Sequence, residues 1–148
     1  MPEANEGQPK SAGEIQLPPE KLKSVLSELQ KKFNDAFEKS RNHPLWHQAP
    51  SGITFDSYVS EYVSDKEKWR VSSSSNSLQL KRYTLTPDGE EIDEVDLRND
   101  NRVTWLGYDK IVPDKNDSDK RQRFHTGDTP LAVKMVENLI SELPQHKD

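Results

Sequence analysis

Twice along the chain the spacing of apolar residues changes period, and this limits the fold more than any other feature. Leu22, Val25, Leu26, Leu29, Phe33, Ala36 and Phe37 recur every three or four residues, which places them on one face of an α-helix. From Ile53 the period is two. Ile53, Phe55 and Val59 alternate with Thr54, Asp56, Tyr58, Ser60 and Tyr62, as in a half-buried strand. At Leu131, Met135, Val136, Leu139, Ile140 and Leu143 the helical spacing returns.

Local signals mark the ends of these segments. Pro18 and Pro19 suit the start of the first helix, where a missing N–H costs nothing. That helix should stop before Pro44, because a residue preceding proline avoids the α region. Thr129 can cap the last helix, with Pro130 at its first position. Between the helices, further strands are expected at 68–72, 78–86, 91–97 and 102–111. Thr86-Pro87-Asp88-Gly89 is a strong turn signal, and Asn99-Asp100-Asn101 marks the next connection. Strands joined by turns this short pair antiparallel.

The expected fold class is therefore α+β: an N-terminal amphipathic helix, a four- to five-stranded antiparallel meander sheet and a C-terminal helix. Each helix carries one apolar stripe, so both should pack on one face of the sheet. Phe33 and Leu139 should meet in one core.

Composition assigns the remainder of the chain. Hydrophobic residues make up 30% of the 148 and charged residues 32%, a lean ratio for a packed core. The polar excess is placed outside the core. Residues 1–17, with Pro2, Gly7, Pro9 and Gly13, read as a disordered tail pinned at most by Ile15 and Leu17. Residues 18–148 read as a single domain with a mobile loop at about 112–128. The chain has no cysteine, which excludes disulfides and thiolate zinc sites. No apolar run approaches a bilayer span, and the first residues have neither the basic start nor the apolar stretch of a leader. A cytoplasmic location is the expectation, with no membrane partner.

Four groups of residues are candidates for function. His43 and His47 frame His43-Pro44-Leu45-Trp46-His47, but Pro44 spoils helical chelation geometry. That segment reads as a loop whose Trp46 plugs the core. Glu90, Glu91, Asp93, Glu94 and Asp96 crowd one hairpin arm, within a stretch, 86–100, of seven acids and one base. Neither alternate set of that arm is cleanly apolar, so it reads as an edge strand, or one shifted in phase by a bulge. Such a strand could dock a basic segment by charge and strand addition, or it could serve only to block aggregation. Lys120, Arg121 and Arg123, followed by Phe124 and His125, form a short basic-aromatic run of the type that grips phosphate. Trp69, between Lys68 and Arg70 at a strand start, would serve binding if its ring were exposed. Gly107, in Trp105-Leu106-Gly107-Tyr108, suggests a bulge or a close backbone approach.

Glycine-rich phosphate loops, a nucleophile elbow and metalloprotease or calcium motifs are all missing from the sequence. No catalytic residue, metal ligand set or cofactor is expected. The best functional reading is a non-catalytic protein-interaction module: an adaptor, a chaperone-like cofactor or an accessory subunit of a larger assembly. Its partner would be another protein, with a basic segment as the complementary chemistry. The first alternative is a small enzyme or ligand-binding domain with a site on the sheet face near Tyr58, Tyr62 and Trp105. The second is nucleic-acid binding through the basic 110–125 loop, disfavoured by the net charge of −5.

Overall fold

The computed structural model describes residues 16–50, 58–117 and 119–144. Helix α1 (Pro19–Ser40) precedes seven strands and helix α2 (Pro130–Ser141) follows them. The strands are β1 (Trp46–Pro50), β2 (Tyr58–Val63), β3 (Glu67–Ser73), β4 (Ser77–Thr86), β5 (Gly89–Asn99), β6 (Thr104–Pro113) and β7 (Arg121–Gly127). They form one sheet in the order β1 to β7, each antiparallel to the next. Among the described residues no helix is long and apolar enough to cross a membrane.

The helix ends follow their local chemistry. Pro19 opens α1, and its apolar stripe buries Leu22, Leu26, Leu29 and Phe33. Thr129 caps α2 by accepting a hydrogen bond from the Ala132 N–H at 3.1 Å. Ser40, buried at the end of α1, donates to the Pro144 carbonyl and accepts from Trp46 Nε1 at 2.9 Å. One hydroxyl thus joins both helix ends to β1.

Side chains alternate across a strand, so the register divides the sheet residues between two faces. Trp69, Val71, Leu78, Leu80, Val95, Leu97, Leu106 and Tyr108 fall on the face that meets the helices, and with both helix stripes they form one buried cluster. Phe33 and Leu139 belong to that same cluster. The opposite, outer face carries no helix among the described residues.

Five expectations need correction. The sheet has seven strands rather than four or five. Strand β1 was hidden because Trp46 is the one large apolar residue of a short edge strand that ends in Pro50, a position that an edge tolerates. Trp46 does pack against the core, edge-on to Phe37 at 5.0 Å, but from a strand and not a loop.

Second, the mobile loop at 112–128 contains β7. Residues 121–125 are exposed, so no apolar alternation betrays the strand, and pairing with β6 alone forms it.

Third, the acidic arm is β5, and it is not an edge. It pairs with β4 from Gly89 to Arg98 and with β6 from Ile92 to Asn99, so from Ile92 on it has no open edge for strand addition. Fourth, the Trp69 ring is wholly buried. Fifth, Tyr62 packs on the helix side against Trp46 at 5.5 Å, whereas Trp105 stands on the outer face. The ring site expected near Tyr58, Tyr62 and Trp105 is therefore divided by the sheet.

Leu17, expected in the tail, packs on the core and donates its N–H to the Asp128 carbonyl at 3.0 Å. The rest of the expected tail up to Ile15, and the strand residues Ile53 and Phe55, lie outside the described residues.

Candidate functional site

The outer face presents two parallel rows of side chains across the strands. One runs through Glu61, Arg70, Lys81, Glu94, Asp109 and His125, each on the next strand and in register with its neighbour. The other, formed from Ser72, Gln79, Asp96, Gly107 and Gly127, is smaller and largely uncharged. Low relief beside a charged row makes a trough. Its cavity of about 570 Å³ is lined from Val59 on β2 to His125 on β7. Five inter-strand spacings of about 4.8 Å separate those strands, so the trough crosses roughly 24 Å of sheet.

Most of its charges are matched within the chain. Glu61 pairs with Arg70 at 2.8 Å, and His47 approaches it at 3.6 Å. Glu94 takes Lys81 at 3.1 Å and Arg123 at 3.0 Å. Asp109 receives both Arg123 and His125. Burial alone would raise the Asp109 carboxyl, but hydrogen bonds from His125 and Arg123, with their charges, outweigh it and hold the group below its ordinary range. A carboxyl depressed in this way adds stability above its unfolded value and loses it as pH falls through the folded one. Titration followed by carboxyl carbon resonances should therefore place Asp109 below an ordinary aspartate, and Arg123→Ala should move it upward. An ordinary midpoint unaffected by Arg123→Ala would show that these contacts do not act on the carboxylate.

One end of the trough is aromatic. The Trp105 and His125 rings stack at 5.8 Å with 16° between planes. Glycine makes room for them. A Cβ on Gly107 would meet Trp105 ring carbons at 2.6 and 2.7 Å, and one on Gly127 would meet His125 Nε2 at 3.1 Å. Gly107 is thus the close approach its sequence setting suggested, between backbone and ring. Asp109 on His125 Nδ1 has the form of a general-base pair. The other nitrogen lies beside Gly127, on the smaller row of the trough.

Three buried side-chain polar atoms among the described residues make no hydrogen bond: Arg70 Nε, Asp96 Oδ1 and Asn99 Oδ1. Arg70 Nε does face Glu61 Oε2 within ion-pair distance, at an angle unsuited to a hydrogen bond. Two of the three belong to residues lining the trough. Buried polar groups in native proteins are overwhelmingly satisfied, and with Arg70 Nε held by Glu61 the trough atom left without a partner is Asp96 Oδ1.

The residues singled out in the sequence are dispersed by the sheet. Glu94 and Asp96 line the trough, and Arg123 reaches it through Glu94 and Asp109. Glu91 and Asp93 lie on the helix side, Glu91 paired with Lys110 at 3.3 Å and Asp93 buried in a network of its own. The Glu90 carbonyl accepts from Arg121 at 3.0 Å. Lys120 lies 3.9 Å from Asp117, away from the trough, and Trp69 is core. The basic-aromatic run is also split by alternation, with Arg121 and Arg123 on the outer face and Phe124 on the other.

His43 and His47 do not converge either, since the His43 ring packs on Tyr62 at 5.0 Å and His47 points toward Glu61. No group of three or more His, Asp or Glu side chains that could hold a metal ion occurs among the described residues. In the sequence Arg70 and His125 stand out only as neighbours of Trp69 and of the basic run, and Lys81 and Asp109 not at all, because only the register aligns the four. Comparison with known proteins yields no match: no family model, curated protein or solved structure is significantly similar to the chain.

Proposed function

We propose that this protein is a non-catalytic protein-interaction module, an adaptor, chaperone-like cofactor or accessory subunit, which holds an extended segment of its partner in the outer-face trough. The observation that carries this reading is the trough itself: elongated across the strands, uncovered by any helix among the described residues, and lined by Asp96, whose buried Oδ1 makes no hydrogen bond. An extended chain supplies donors for an acceptor such as Asp96. A small compact ligand would fill only part of so long a site. The nucleic-acid alternative loses support because Arg121 and Arg123 are engaged by the chain's own Glu90 carbonyl and by the Glu94 and Asp109 carboxylates.

Photo-crosslinking tests the reading. A benzophenone side chain at Gln79, exposed in the trough, should capture a protein partner from native lysate. The same group at Lys31, exposed on α1, should not. Equal capture from both positions, or none from Gln79, would remove the trough as the partner site.

A further inference from the structure

We infer that the Trp105 end of the trough is a pocket for a cationic side chain, arginine or lysine, of the bound segment; the inference rests on the protein-binding reading. Of the carboxylates lining the trough, Glu94 and Asp109 are each met by a cation of the chain itself. Asp96 is not. Among the described residues its one hydrogen bond is from Trp105 Nε1 to Oδ2, at 3.5 Å, while Oδ1 is buried and unpartnered.

A bond at that distance is at the outer limit of useful geometry and restrains the carboxylate weakly. Rotation about its Cβ–Cγ bond would bring the idle oxygen toward the trough. An uncompensated carboxylate, partly withdrawn from water, is costly until a donor reaches it. A charged donor answers it about twice as strongly as a neutral one. Trp105 supplies the second component, since an indole ring beside a carboxylate favours a guanidinium or ammonium through its π face. The body of the protein is acidic, with a net charge of −5, which helps bring a basic segment toward the site. An acidic segment would instead meet Asp96, Glu94 and Asp109 together and be repelled.

The test uses the full chain and four capped hexapeptides of glycine and serine with a central Arg, Lys, Gln or Glu. In ¹⁵N spectra the Trp105 indole N–H should shift with the Arg and Lys peptides and stay unmoved by the Gln and Glu peptides. The effect should weaken as salt is raised. Asp96→Asn should weaken binding of the Arg peptide by roughly tenfold or more, as expected for loss of a charge-assisted bond.

If the Gln peptide binds as well as the Arg peptide, or Asp96→Asn changes nothing, the cation pocket is wrong. The protein-binding reading would then still stand on its crosslinks. If no peptide moves Trp105 while Gln79 still captures a partner, the pocket is again overturned, and only the pocket. Failure of the Gln79 crosslink with Arg-peptide binding intact would instead sink the protein-binding reading.

Discussion

Asp93→Ala is expected to destabilise the protein by about 3 kcal/mol, near the low end for breaking a buried ion pair. Asp93 is 2% exposed. Its Oδ2 receives Arg82 Nε and Nη2 at 3.3 and 3.1 Å, and its Oδ1 receives Lys110 at 3.2 Å and the Tyr108 hydroxyl at 2.5 Å. Removing the carboxylate leaves two cations facing the core side of the sheet. Each retains one more exposed partner, Glu142 for Arg82 and Glu91 for Lys110, which keeps the loss from reaching the upper end of the range.

Two measurements check this. Urea unfolding should show a lower midpoint at unchanged slope, the signature of lost stability without a change in the denatured state. Absorbance titration should show the Tyr108 phenol moving back toward its ordinary value. Burial raises that phenol most, and the Asp93 hydrogen bond and charge raise it further. A loss under about 1 kcal/mol would fall in the range of exposed pairs and mean that solvent reaches the network.

Trp69→Ala should cost about 3–5 kcal/mol, the usual penalty for emptying a buried aromatic site. The ring is wholly buried at the centre of β3. The Arg82 guanidinium lies over it at 5.3 Å and its Nε1 donates to Glu67. The substitution therefore opens a cavity and removes the surface on which the Asp93 network rests. The two sites share Arg82, so Asp93→Ala and Trp69→Ala together should not add. A mild effect in equilibrium unfolding, below about 1 kcal/mol, would put the ring outside the core. If Trp69→Ala abolished partner binding in a fully folded protein, the ring would have the recognition role that its burial denies it.

The acidic arm shows how far a one-dimensional reading of charge can mislead. Along the chain, 90–96 is a block of like charge. Across the sheet, Lys81 and Arg82 come from β4, Lys110 from β6 and Arg123 from β7. Cross-strand neighbours set the energy of a charged strand residue, and here they come from positions as much as 29 residues away. The same logic explains Trp69. Its flanking Lys68 and Arg70 suggest exposure, but alternation sends those two to the outer face and the indole to the helix side.

Residues near one another in sequence were enough to specify both helices, the Thr129 cap, the antiparallel meander and the turns at Gly89 and Asp100. Each of these depends on contacts within a few positions, which a periodic pattern or a turn residue reports directly. The edge strands β1 and β7 required the fold, because a strand half open to water needs no apolar alternation and is held by backbone pairing with its neighbour. The trough required it too. Its charged row takes one residue from each of six strands, and its aromatic end depends on two glycines, Gly107 and Gly127, that are 20 positions apart and face each other only in the β6–β7 register. Local chemistry chose the elements; hydrogen-bonded register, which couples distant residues, assembled the surface.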